Sequence, residues 1–247
     1  MLRHVTITGA DDSTDIGWMI ETQKRFPFME WGILTSPNRL GTPRYPSFVK
    51  QCDIADCSPE LVLSLHVCGG YVRRICAGDW SSLYLGSLPL IKSVSRVQLN
   101  FRPYLARLGD LFYDHASKFS RFEDLPLICQ IGDGMSAGGW LRLKQGFSDF
   151  AIEQADSPKV AAGIMPFYDM SGGQGISPSW WPGAPLHAYT GYAGGLGPDN
   201  VVEHLQAIEQ VAEDYWVDME TRVRTDDNLS LDRAKVEAAL ELCQAYT

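Results

Sequence analysis

The chain has 247 residues and is 45% apolar, which suits one globular body of the size of a single parallel barrel rather than two domains. A formal net charge of −9 argues against a nucleic acid or an anionic membrane as the main partner, because both would need a basic face. No apolar run reaches about 18 residues, and the first residues lead straight into an apolar segment with no room for a signal peptide, so a cytoplasmic protein is expected.

Eight short apolar runs follow one another, at residues 4–9, 28–35, 61–69, 96–100, 125–133, 161–169, 185–191 and 215–220. Each ends in a polar or glycine-rich turn and leads into a helix-like stretch. Eight such units most economically close into an α/β structure, a (β/α)₈ TIM barrel of eight parallel strands with outer helices, forming a single domain over residues 1–247. Barrels of this kind carry their chemistry at the C-terminal ends of the strands. Helices are predicted over 15–25, 44–52, 71–80, 103–119 and 139–153. After the sixth run, Pro178 and Pro182 leave room for one abbreviated turn. Pro198 is placed in the first turn of a helix whose Val201, Val202, Leu205, Ile208 and Val211 recur at helical spacing. Ser230 is predicted to cap the last helix, with Val236, Leu240 and Cys243 on its buried face. Cys52, Cys57, Cys68, Cys76, Cys129 and Cys243 show neither a CxxC pair nor zinc spacing, and read as small buried hydrophobes.

Candidate chemistry lies at the strand ends. On the third strand His66 and Cys68 share parity, so they face the same side. A cysteine beside a histidine is the arrangement of a reactive thiolate, and equally of a buried thiol over a hydrogen-bonded core histidine. Asp11, Asp12 and Asp133 open on the same face, where acidic residues also serve as solvated or capping groups. Two glycine-rich turns, 171–175 after strand six and 193–197 after strand seven, suit a cradle of backbone N–H groups for a phosphate, with Gly172, Gly173, Gly175, Gly194 and Gly195 as its candidates. The plain alternative is a pair of tight turns. No lysine falls at a predicted strand end, no HxH or HExxH occurs, and no GxGxxG follows a strand, so no cofactor and no metal are expected.

At these residues the chain resembles phosphoribosylanthranilate isomerase. Asp169-Met170-Ser171-Gly172-Gly173-Gln174-Gly175, with Trp180 and Trp181 downstream, looks like that family's aspartate followed by GG-(T/S)-G and an aromatic-Trp pair. Ala193-Gly194-Gly195-Leu196-Gly197-Pro198-Asp199-Asn200-Val201 is similar to its (A/S)GGL-N-P-E-N-V. Weaker likenesses run through Arg44-Tyr45-Pro46-Ser47, Val97-Gln98-Leu99-Asn100 and Val217-Asp218-Met219-Glu220. The resemblance covers all eight units in order, with its specific motifs mainly in the last third.

The resemblance implies an isomerase of the aldose-ketose, Amadori type acting on a phosphorylated sugar derivative. It implies Asp169 as general acid and Arg44, Gln98, Asp218 and Arg222 as substrate contacts. The family's base is a cysteine ending strand one; here that place holds Thr8, whose hydroxyl is too weak a base at neutral pH. Cys68 on strand three is the candidate replacement. Thr221-Arg222-Val223-Arg224 stands where the family has a Ser-Gly-Val-Glu phosphate loop, and its arginines either bind an anion or lie solvated. The alternative is a non-catalytic barrel that binds a phosphorylated small molecule after losing the catalytic pair. Oligomeric state is open at this level.

Overall fold

The structure, a computed structural model, describes residues 1–76, 79, 81, 89–100, 125–131, 164–171, 174–185 and 188–247. Eight strands form it: β1 (Leu2–Thr8), β2 (Met29–Thr35), β3 (Leu63–Cys68), β4 (Arg96–Asn100), β5 (Leu127–Ile131), β6 (Ile164–Asp169), β7 (Thr190–Ala193) and β8 (Tyr215–Met219). Each pairs in parallel with the next, and β8 returns to β1 to close the barrel. The strands are buried on both faces, which is why β2 is buried at all seven positions and reads as a continuous apolar run rather than an alternating one.

Five helices are described: α1 (Ile16–Arg25), α2 (Phe48–Asp56), α3 (Gly70–Cys76), α4 (Val201–Glu209) and α5 (Arg233–Cys243). Asp15 caps α1 by accepting a 2.7 Å hydrogen bond from the Trp18 N–H. Outward-facing Val5, Ile7, Trp31, Ile33, Leu63, Leu65, Val217 and Met219 pack beneath Met19, Ile54, Leu205, Ile208, Val236 and Leu240 in one core cluster.

Inside the barrel the side chains sort by strand. Those of β1 to β4 are polar: Thr6, Thr8, Glu30, Ser64, His66, Arg96 and Gln98, all buried. Those of β5 to β8 include a separate apolar cluster of Ile128, Phe167 and Trp216, joined by Met165, Tyr189 and Ala193, with Gln130, Asp169 and Asp218 toward the C-terminal ends. The halves meet where the Arg96 guanidinium lies 4.5 Å over the Trp216 ring.

Several boundaries differ from those expected. Strand seven is Thr190–Ala193, not 185–191, because the chain turns first, with Ala188 N–H donating to Pro185 O at 2.9 Å. Helix two begins at Phe48 rather than 44, because Pro46 disfavours helical backbone at Tyr45 and Ser47 supplies the cap to the Lys50 N–H. Pro198 lies in a turn, and α4 starts three residues later at Val201. Asp232, not Ser230, caps α5 through the Lys235 N–H at 3.1 Å, while Ser230 is held in a loop by Thr225. Helix three is described over Gly70–Cys76, and residues 77, 78 and 80 of the stretch predicted over 71–80 lie outside the described residues. The stretches predicted as helices over 103–119 and 139–153, and residues Asp133, Gly172 and Gly173, lie outside the described residues. Among the described residues no helix is long and apolar enough to cross a membrane.

Candidate active site

A cavity of about 60 Å³ sits at the C-terminal end of the barrel, lined on the polar side by His66, Gln98, Asn100 and Asp218 and on the other by Phe167, Asp169, Ala193, Gly194 and Gly195. It shares Leu34, Asn100, Asp169 and Glu220 with a wider vestibule of about 590 Å³ that runs out past Arg39, Arg44, Tyr45 and Cys68. The site is a funnel whose narrow end is walled by the glycine turns.

Those turns are built against each other. Gly195 has a φ of +56°, and a Cβ there would lie 2.5 Å from Gly175 O and 2.7 Å from Ser177 N, so only glycine lets the two backbones touch. Asn200 clamps the pair by donating to Gly195 O and to Ser177 Oγ, both at 2.9 Å, and by accepting from the Gly197 N–H at 2.9 Å. The Gly197 N–H is thereby used up. Among the described residues no hydrogen bond engages the N–H groups of Gly195 or Leu196, and both residues line the cavity, whereas the β7–β8 pairing directs the Gly194 N–H to the Asp218 backbone.

Asp218, on β8, is 8% exposed and lies at the cavity floor. Its Oδ1 accepts a 2.6 Å hydrogen bond from the Thr8 hydroxyl, and its Oδ2 lies 3.9 Å from His66 Nδ1. Burial, with the carboxyls of Glu220, Asp169 and Glu30 nearby, raises Asp218 well above the usual carboxylate range against the opposing pull of Thr8. Burial pushes His66 down to about 4, so its ring is neutral, and its Nε2 shares a 3.1 Å hydrogen bond with Ser64 Oγ. Room for this cluster comes from Gly32 on β2, where a Cβ would lie 2.2 Å from Thr8 Oγ1 and 2.9 Å from His66 Cε1. Beneath it, Glu30 forms a 2.8 Å ion pair with Arg96. Burial works to raise Glu30, but Arg96 and Ser64 hold it below its ordinary value.

Asp169 ends β6. Gln130 Nε2 donates to its Oδ2 at 3.2 Å and Ser171 Oγ to its Oδ1 at 3.1 Å. Gln98, 3% exposed, gives its Nε2 hydrogen to Asn100 Oδ1 at 2.9 Å, while its Oε1 is buried without a partner at the cavity wall.

At the funnel's outer end Arg44 is ion-paired with Glu220 and donates to Asn228 Oδ1 at 2.8 Å. Burial raises the Glu220 carboxyl, with Arg44 opposing. Cys68 accepts from Asn100 Nδ2 at 3.2 Å, and burial pushes its thiol up to about 11, so it is not a thiolate at neutral pH. The His66 ring engages Ser64 and faces Asp218, so the shared parity of His66 and Cys68 does not make a thiol-imidazole pair.

Of the residues singled out in the sequence, Asp169, Asp218, Gln98, Gly175, Gly194 and Gly195 all line the inner cavity, and Thr8 reaches it through Asp218. Arg44 and Cys68 line the vestibule. Arg222 lines neither, and its guanidinium is paired with Asp199 at 2.8 Å. Arg224 is fully buried, donating to Gly9 O at 2.7 Å and to Asp11 Oδ2 at 3.0 Å, a structural role. Asp11 and Asp12 tie loops together, Asp11 by accepting from the Arg44 N–H at 2.8 Å and Asp12 from the Ser47 N–H at 2.7 Å. Asn100, Gln130, Glu220 and Thr221 were not picked out, although alternation puts Asn100 on the face of Gln98 and Glu220 two residues beyond Asp218. Among the described residues no group of three or more His, Cys, Asp or Glu is gathered to hold a metal ion.

Fold and cavity together define a TIM-barrel protein with a polar pocket at the mouth where such barrels carry their sites. No protein-family model matches the chain, and no curated protein matches it. Among solved structures it is similar to phosphoribosyl anthranilate isomerase from Thermococcus kodakaraensis, with a TM-score of 0.51 and 15% identity over 98% of this chain and 99% of that one. It is also similar to a truncated form of 3-deoxy-D-arabino-heptulosonate 7-phosphate synthase from Thermotoga maritima, with a TM-score of 0.53 and 12% identity over 98% of this chain and 85% of that one. At such identities the likeness establishes the barrel fold.

Proposed function

We propose that this barrel is an isomerase of phosphorylated aldoses or aldosylamines, holding the phosphate at the glycine turns and moving protons with carboxyl groups on the flanking strands. One observation carries the reading: the inner cavity is lined by Gly195 and Leu196, whose N–H groups carry no hydrogen bond among the described residues, and by Asp169 and Asp218 from the strands on either side of that turn. Backbone N–H groups bind an anion without a cation. Carboxyls in unlike surroundings supply an acid and a base. An aldose-to-ketose rearrangement needs both, one proton delivered to the ring oxygen and one removed from C2. The sequence likeness of residues 169–175 and 193–201 to the isomerase family points the same way.

Because a side chain at Gly195 would collide with Gly175, glycine substitution tests folding as much as binding. Thr221, which lines the cavity beside Gly175, is the better probe. Titration of ribose 5-phosphate, followed by ³¹P NMR and by the rise in melting temperature, is expected to show saturable binding that Thr221→Asp abolishes by charge repulsion while the fold is kept. Absence of binding to the wild-type protein, or equal binding by the variant, would sink the phosphate site.

A further inference from the structure

Asp169 and Asp218 stand at one height in the barrel, each paired in register with Ala193 of the strand between them. Two strand spacings put their Cα atoms about 10 Å apart. Both Asp169 and Asp218 line the inner cavity, as does Gln98, whose buried Oε1 has no hydrogen-bond partner among the described residues.

Their surroundings differ in kind. Asp169 accepts hydrogen bonds on both oxygens, from Gln130 and Ser171, the posture of a proton acceptor. Asp218 receives one, from Thr8, and turns its other oxygen toward a neutral imidazole. The charged groups around Asp218 are the carboxyls of Glu220, Asp169 and Glu30, while the nearby cations are committed elsewhere: Arg96 to Glu30, Arg44 to Glu220 and Arg224 to Asp11.

We propose that the two carboxyls divide proton transfer in the opposite sense to that implied by the family likeness: Asp218, seated by Thr8 and His66, is the proton donor, and Asp169 is the acceptor that stands in for the strand-one thiol. The inference rests on the aldose-phosphate reading above. Burial first, and then the neighbouring carboxyls, raise the affinity of Asp218 for its proton, which favours the donor form. Asp218 delivers that proton to the ring oxygen as the C1–O bond breaks with its electrons passing to that oxygen, while a lone pair of the C1 hydroxyl or amine forms the protonated C1=O or C1=N bond. Asp169 then takes the proton from C2, whose C–H electrons form the C1=C2 double bond of an enol as the C1=O or C1=N electrons return to the heteroatom. The enol becomes the ketone by losing its hydroxyl proton to solvent and gaining one at C1, and proton exchange through solvent from Asp169 to Asp218 restores the pair. Thr8, at the place of the family's base, becomes a positioning residue for the acid.

Infrared difference spectroscopy of the ligand-free protein at neutral pH tests this directly. The wild type is expected to show the carbonyl band of a protonated carboxylic acid, lost in Asp218→Asn and kept in Asp169→Asn. In Thr8→Val, which removes a donor that favours the ionised form, the band should persist to higher pH than in the wild type. A band lost instead in Asp169→Asn, or no such band in the wild type, would overturn the assignment. Ribose 5-phosphate binding, measured separately, reports on the aldose-phosphate reading alone, so the two failures are distinguishable.

Discussion

At the scale of single residues, the site depends on small side chains leaving room for polar ones. Gly32 makes space for Thr8 and His66, and Thr8 holds Asp218, so three strands cooperate in placing one carboxyl. Their titration has opposite consequences for stability. His66, with its pKa depressed from 6.5 to about 4, contributes stability that is present above 6.5 and lost as pH falls toward 4. Asp218 is raised above its ordinary 3.8, so its contribution is full below that value and is lost as pH rises, because only the unfolded chain releases the proton freely. Asp218→Asn removes this penalty. The variant should therefore be more stable than the wild type at pH 7, with a gain that grows by up to about 1.4 kcal/mol per pH unit above the ordinary carboxyl range. Denaturant melts across pH 4 to 8 measure it, and a pH-independent difference would show that Asp218 is ionised in the folded protein. A site residue whose removal stabilises the fold is the mark of function retained at a cost in stability.

At the scale of elements, the parts that read most clearly in the sequence are those with local causes. The last third shows this: Val201, Leu205 and Ile208 form the buried stripe of α4, and Val236, Leu240 and Cys243 that of α5, all at helical spacing. What misled was competition between neighbouring caps and turns. Ser230 and Asp232 are both good caps, and Asp232 wins because the pairing of Arg224 with Leu231 keeps Ser230 in a hairpin-like loop. Asp232→Ala should cost about 1 kcal/mol, whereas Ser230→Ala should leave α5 capped. Thermal melts of the two variants settle which residue starts the helix. The loop before α2 shows a second kind of misreading. Arg44 takes a φ of +76°, uncommon for a side chain of its size, because Asp11 binds its N–H while Glu220 and Asn228 bind its guanidinium. Partners 33 and 176 residues away made that conformation, so no local pattern announces it.

At the scale of the whole molecule, buried polar side chains gather in the barrel interior on β1 to β4, and an apolar cluster of Ile128, Phe167 and Trp216 lies on β5 to β8 below the polar residues of their C-terminal ends. The Glu30–Arg96 pair, 2% and 5% exposed, ties β2 to β4 and lays its guanidinium on Trp216 of β8. Breaking such a pair from one side leaves a buried charge. Arg96→Met alone is expected to cost roughly 3–5 kcal/mol, and the double variant Glu30→Leu with Arg96→Met markedly less. A double-mutant cycle measured by chemical denaturation checks this, and additive losses would mean that the pair does not act as a unit.

The sequence by itself determined the fold class and the strand ends where chemistry gathers, because parallel βα units repeat a local pattern of apolar runs, turns and helical stripes. It also marked Asp169 and the glycine turns as residues of the mouth, since position at a strand end is a local property, while Gln98 and Asp218 entered through the family likeness of their motifs. Only the tertiary structure decided what surrounds each of them. That Cys68 meets the Asn100 side chain rather than the His66 ring, that Thr8 donates to a carboxyl 210 residues away, and that Arg224 is buried while Arg222 pairs at the surface are outcomes of barrel closure. A carboxyl's hold on its proton depends on burial and on charges brought from other strands. Those neighbours come together only when β8 returns to β1.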